Sequence, residues 1–206
     1  MKLHTALLSL GASVLLAGAM FAQNNPSTSM NTKSTANGGV PTKDHNFMMK
    51  AAQGGMAEVE LGQLAQQNGG SQEVKDFGQR MVTDHSKAND ELKQLASQEG
   101  VALPANLDAK DKATKERLSK LHGAAFDKAY MHDMVTDHKM DIAEFKHEAG
   151  TGNNQAVKDW ASKTLPTLES HLSEAEKVAP TVGAQTSASN RGMSNNSSTS
   201  TTAQQH

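Results

Sequence analysis

The chain has 206 residues, seven of them aromatic and none cysteine, with 20 Lys and Arg against 22 Asp and Glu for a formal net charge of −2. That length accommodates one domain of ordinary size or two very small ones. The lack of cysteine excludes a disulfide scaffold, an iron–sulfur cluster, a zinc ribbon and a thiol nucleophile, and the near-neutral balance gives no electrostatic basis for binding nucleic acid.

Residues 1–22 read as a cleaved signal peptide. Lys2 supplies a short positive start, an apolar run extends from Leu7 to Met20, and both Ala17-Gly18-Ala19 and Ala22 offer small-residue cleavage points. An uncleaved anchor needs ~20 apolar residues, and His4 interrupts the only stretch available. Leu16-Ala17-Gly18-Ala19 resembles a lipoprotein box with alanine where the lipidated cysteine belongs, so no lipid anchor is expected. The expected location is periplasmic, outer-membrane-associated or secreted, with no integral membrane span after cleavage.

Residues 23–43 and 181–206 are rich in Asn, Ser, Thr and Gly, carry no acid, and lack the apolar surface to offset the entropy of ordering. They are expected to be a disordered linker and a disordered tail. All 22 acids therefore fall within residues 44–180, together with only 16 of the basic residues, which gives this core a net charge of −6. Such a core disfavours anionic partners and leaves cations open.

Within residues 44–180 apolar side chains recur every three or four positions, the period of amphipathic helices. The first helix is predicted over 44–68 and stops at Gly69-Gly70. Ser71 caps a second, whose seam reads Val74, Phe77, Met81, His85, Ala88, Leu92 and Leu95 before Gly100. A long connection follows, containing Pro104 and a charged surface helix over 108–120. Two further helices are predicted over 124–149 and 154–178, the last kinked by Pro166 and closed by Pro180.

A gapless shift of 83 residues lays Phe47 on Tyr130, Glu58 on Asp141, Gly69 on Gly152, Gln72 on Gln155 and Glu91 on Glu174. It also lays Val74-Lys75-Asp76-Phe77 on Val157-Lys158-Asp159-Trp160. The two halves thus read as copies of one helical hairpin related by a pseudo-twofold axis. The expected fold is all-α: a ferritin-like antiparallel four-helix bundle of two hairpins joined by a long crossover.

The residues carrying this pattern include Ala57-Glu58-Val59-Glu60-Leu61-Gly62, Arg80-Met81-Val82-Thr83-Asp84-His85, Phe126-Asp127 with Tyr130, Met134-Val135-Thr136-Asp137-His138, and Leu165-Pro166 with His171-Leu172. With them the chain resembles a bacterial exported family of unknown function assigned a ferritin-like four-helix fold, whose members are described as outer membrane or periplasmic proteins. The resemblance covers the whole core. It implies fold and export and no established activity.

A metal site inside the bundle would draw on Glu58, His85, His138, Asp141 and His171, and a carboxylate with imidazoles suits Fe, Mn, Cu or Zn. Counted from the inter-helix turns, Glu58 and His85 are offset by ~7 Å along the bundle, and so are His138 and His171. Di-iron bundle proteins place a Glu-x-x-His on each of two helices. Here Val82 and Leu168 stand three residues before His85 and His171, so a ferroxidase is disfavoured. The competing reading takes these groups as structural, with Asp84-His85 and Asp137-His138 hydrogen-bonding between the second and third main helices. It is the preferred one, with no cofactor and no catalytic residue: no serine lies in a nucleophile-elbow context. The expected role is a non-catalytic binding module with an envelope protein as partner, and the alternative is a metal-binding or redox protein.

Remaining features have packing explanations. Met48, Met56, Met81 and Met134 fall at core spacing rather than in a soft-metal motif. Lys110, Lys112, Lys115, Arg117 and Lys120 alternate with acids as a solvated face. Tyr130 and Trp160 are expected to pack on seams and anchor their hydroxyl and indole N–H.

Overall fold

The computed structural model describes residues 39–184. The expected signal peptide, most of the linker and all but the first four residues of the tail lie outside them. Five helices follow in order: α1 Thr42–Asn68, α2 Gln72–Glu99, α3 Ala109–Ser119, α4 Gly123–Thr151 and α5 Gln155–Thr181. This is the expected all-α arrangement of four long helices with one short helix in the crossover.

Local sequence sets the boundaries. Ser71 Oγ accepts from Val74 N at 3.2 Å, Asp108 Oδ1 from Asp111 N at 2.8 Å and Asn154 Oδ1 from Val157 N at 3.1 Å, satisfying amides that no helical carbonyl reaches. Gly100 adopts φ 69°, a left-handed conformation costly for any residue with a Cβ, and lets Val101 N return to Ala96 O at 2.8 Å. Pro166 lies inside α5 as expected, whereas Pro180 does not close the helix, which continues through it to Thr181. Pro166 is exposed, so the backbone carbonyl that loses its amide partner lies on the solvent-facing side of the helix.

The chain packs as two hairpins, α1 on α2 and α4 on α5, with α2 against α5 and α1 against α4 across the bundle. Two buried aspartates fix the relative direction of the hairpins. At one end Asp127 of α4 accepts from Gly70 N at 2.8 Å and Ser71 N at 2.9 Å in the α1–α2 turn. At the other end Asp44 of α1 accepts from Asn153 N and Asn154 N in the α4–α5 turn. The turn at Gly69 thus meets the start of α4, where a single bridge pairs Gly69 with Gly123. Each long helix is antiparallel to both neighbours. The crossover must run the length of the bundle to bring α4 back parallel to α2.

That crossover is stapled rather than merely solvated. Lys115 reaches Glu60 on α1 at 2.7 Å, while Arg117 and Lys110 reach Asp133 and Asp137 on α4 at 2.5 and 3.5 Å. Leu107 and Leu118 are its buried apolar anchors.

Two apolar clusters fill the bundle. One, near the α1–α2 turn, includes Leu61, Phe77, Met81, Phe126, Tyr130 and Met134. The other includes Phe47, Met48, Leu92, Ile142, Trp160 and Leu168. Burying each such large side chain contributes about 1.5–3 kcal/mol. Met48, Met81 and Met134 are core as expected, and Met56 is half-buried. Tyr130 and Trp160 pack on aromatic neighbours, but neither the phenol oxygen nor the indole nitrogen has a hydrogen-bond partner.

Candidate metal centre

Every long helix changes cluster at a buried polar residue. On α2 His85 lies between Met81 of one cluster and Leu92 of the other, and on α4 His138 lies between Met134 and Ile142. On α5 His171 lies between Leu168 and Ala175, and on α1 Glu58 lies between Ala52 and Leu61. Helical periodicity turns each of these positions inward, so the waist between the two apolar halves is polar.

The three histidines converge. One ring nitrogen of each of His85, His138 and His171 lies within 4.8 Å of the others, and the ring centroids are 5.3 to 5.8 Å apart. The axial offset expected from residue counts does not separate them. In an α-helix the Cα–Cβ bond tilts toward the N-terminus. His138 leans away from the α4–α5 turn and His171 leans toward it, which closes the gap between antiparallel neighbours. Glu58 and Asp141, the two other expected ligands, are not in the group. Glu58 is buried and its Oε2 has no hydrogen-bond partner, while Asp141 is half-buried.

Hydrogen bonds assign the tautomers. His138 Nδ1 lies 2.9 Å from Met134 O, an acceptor only, so this nitrogen donates and Nε2 keeps a lone pair. His171 Nε2 lies 2.8 Å from Asp84 Oδ2 and donates to it, which leaves the lone pair on Nδ1. These two lone-pair nitrogens, His138 Nε2 and His171 Nδ1, face each other at 3.3 Å. The third imidazole adds His85 Nε2, buried and without a hydrogen-bond partner.

A proton shared between His138 and His171 would reconcile that contact, but the surroundings oppose it. Burial and the neighbouring His171 lower His138 to about 4. Burial lowers His171 as well, against the opposing pull of Asp84, and burial with both other imidazoles holds His85 well below its ordinary value. At neutral pH the waist therefore presents three uncharged imidazoles.

Asp84 is the partner of the histidine group that the sequence reading misplaced. It does not bridge α2 and α4 but pairs with His171 on α5, and Asp137 is taken by Lys110 of the crossover. Arg80 steadies Asp84 at 3.3 Å while also bonding Ser170 at 2.9 Å and pairing with Glu174. The signal was present in the spacing: Arg80 and Asp84 stand four apart on α2, and Ser170 and Glu174 flank His171 on α5. A second polar group forms beside the histidines. Burial, then Asp141 and further carboxylates, push the Glu58 carboxyl well above the usual range, and burial with Glu58 raises the Tyr130 hydroxyl.

Among known proteins the likeness is one of fold. A crystal structure of a DUF305 fragment from Deinococcus radiodurans is similar over 70% of this chain and 99% of that one, at a TM-score of 0.62 and 11% identity. A DUF305 protein from Streptomyces coelicolor, provisionally described as secreted, is similar over 69% and 94%, at 0.60 and 13%. No protein with a curated description matches. Among the described residues no helix is long and apolar enough to cross a membrane. The family of unknown function known as DUF4142 matches across residues 29–178, from ahead of α1 to near the end of α5, and this chain belongs to it.

Proposed function

We propose that this protein is an exported metal-binding module that holds one first-row divalent ion on His85, His138 and His171. The observation that carries the reading is the 3.3 Å approach of two lone-pair nitrogens in a buried waist, with a third orphaned imidazole nitrogen beside them. A cation is the species that turns this mutual repulsion into attraction. The outer partners fit, since a ligating histidine characteristically donates its other N–H to a carbonyl or carboxylate, and Met134 O and Asp84 occupy those places. Three neutral nitrogen ligands suit Cu(II) or Zn(II) ahead of Mn(II) or Fe(II). They leave a coordination position open, because such ions take at least four ligands. Export is supported by the basic and apolar start of the sequence and by the Streptomyces relative in fold that is provisionally described as secreted.

The test is metal titration of the purified mature protein, with metal analysis and calorimetry. One equivalent of Cu(II) or Zn(II) is expected, with a rise in melting temperature that follows mass action. His138→Ala and His171→Ala should each abolish stoichiometric binding. Absence of stoichiometric metal after supplementation with Fe, Mn, Cu and Zn would overturn the reading and return the cluster to a structural role.

A further inference from the structure

One cleft opens onto this waist. It has a volume of about 320 Å³ and is walled by α1, α2, α4, α5 and the start of α3, and of the three histidines only His85 lines it. His85 is 6% exposed, and its Nε2 is the buried nitrogen without a partner. Resting on the metal reading above, we infer that this cleft is the passage by which a hydrated divalent cation reaches the histidines, with Asp141 and Glu144 as its recruiting carboxylates and His85 as the first protein ligand met.

Three observations converge on this. The first is steric. The 83-residue shift carries His138, His171 and His85 onto Gly55, Ala88 and Leu168, and all three counterparts line the cleft. The same bundle level is thus filled by imidazoles on one side of the pseudo-axis. On the other a glycine and an alanine stand in their place, and the Asn89 side chain lies over Gly55.

The second is electrostatic. Asp108, Asp111, Asp141 and Glu144 line the cleft against Lys50 and Lys110. Lys50 is bonded to Glu144 at 3.0 Å and Lys110 to Asp137 at 3.5 Å, so the two cations offset part of this charge and leave the lining acidic on balance. Asp141 is raised to about 7 by burial, with Asp137, Glu144 and Asp111 adding to the shift and Lys110 opposing it. Crowded carboxylates of this kind are relieved by a passing cation. A cleft with an excess of one sign also concentrates ions of the other.

The third is chemical. An ion entering here exchanges water for oxygen ligands at the rim and then for nitrogen at His85, before it meets His138 and His171. The order runs from hard and weakly held to softer and tightly held ligands, so each exchange is downhill for Cu(II) or Zn(II).

The experiment is stopped-flow loading of the full mature protein with Cu(II) chloride alone, paired with release driven by excess chelator. Ala88→Phe places a ring in the cleft one turn from His85 and replaces no ligand. It should slow loading and release by a similar factor, about fivefold or more, and leave stoichiometry and Kd within about twofold, because an obstructed path changes rates and not the end states. Asp141→Asn with Glu144→Gln is the second variant. It should slow loading about fivefold and flatten its dependence on ionic strength, since steering is what salt screens. Metal binding by wild type, with rates in both folded variants unchanged, would overturn the passage while leaving the metal site standing. Absence of binding by wild type would overturn both, and should Ala88→Phe fail to fold, the charge variant decides alone.

Discussion

Asp44 and Asp127 stand 83 residues apart and do the same work at opposite ends of the bundle: each is buried and each accepts two consecutive backbone N–H groups from the turn of the other hairpin. The symmetry extends to the helix ends. Gly100 and Gly183, also 83 apart, share φ values of 69° and 73°, and Val101 N to Ala96 O is matched by Ala184 N to Ala179 O, both at 2.8 Å. The two hairpins therefore clasp each other reciprocally, and neither turn is fully satisfied without its partner.

Removing either clasp should destabilise the protein. Asp127→Ala leaves Gly70 and Ser71 amides without their acceptor and is expected to cost about 2 kcal/mol in urea unfolding. Asp44→Ala should cost less, because burial and then the Asp44 charge push the Glu148 carboxyl up, and removing Asp44 relieves that repulsion. The double variant should lose the sum, the sites being at opposite ends. Equal stability of the Asp127 variant and wild type would refute the clasp.

Asp84→Asn tests the outer support of the centre. The amide can still accept from His171 Nε2 but carries no charge to strengthen the imidazole as a donor to metal. Affinity for Zn(II) should fall about 10–100-fold in a chelator competition, with one equivalent still bound. An unchanged affinity would separate Asp84 from the site.

Stability should carry an opposing pH signature from Asp141. Its carboxyl is raised to about 7 from an ordinary 3.8, so between those values the folded chain holds a proton that the unfolded chain has released. The contribution to stability is full below pH 3.8 and is lost as pH rises through about 7. Asp141→Asn should therefore gain on wild type as pH increases, by about 1–2 kcal/mol at pH 8 after allowance for its half-exposed position. The two proteins should converge near pH 4. Urea midpoints at pH 4.5 and 8 decide the matter, and a constant difference would contradict it.

Two glycines of α1 make a paired test of helix packing. A Cβ on Gly62 would lie 2.6 Å from Gly78 O on α2, whereas one on Gly54 meets nothing within 4 Å. Gly62→Ala should cost about 1–3 kcal/mol by forcing α1 from α2. Gly54→Ala should stabilise by about 0.5–1 kcal/mol through helix propensity. Thermal melts of both variants check the contrast.

Much of the fold was legible in the sequence because helices are specified locally. Caps at Ser71, Asp108 and Asn154, the glycine stops and the apolar period each depend on neighbours within one or two turns. The 83-residue repeat added the hairpin pairing, since two copies of a half-buried unit must cover each other's apolar faces. Of the five expected ligands, Glu58, His85, His138 and His171 were readable as inward-facing, as each sits at the core spacing of its own helix.

Which of those five would meet was decided only by tertiary structure. Residue counting predicts axial height but not the tilt of Cα–Cβ bonds, and that tilt brings His138 and His171 together on antiparallel helices. Spacing along one helix names Asp84 and Arg80 as neighbours, yet the rotation of α2 against α5 hands Asp84 to His171 rather than to α4. Tautomers are likewise properties of the assembled waist: a histidine's free lone pair is set by what its other nitrogen meets across the core. The sequence determined that this protein is a two-copy helical bundle with an acidic core and inward polar residues. Packing alone decided that three uncharged imidazoles point their unshared electrons at one place, because that outcome depends on angles between helices that no local pattern encodes.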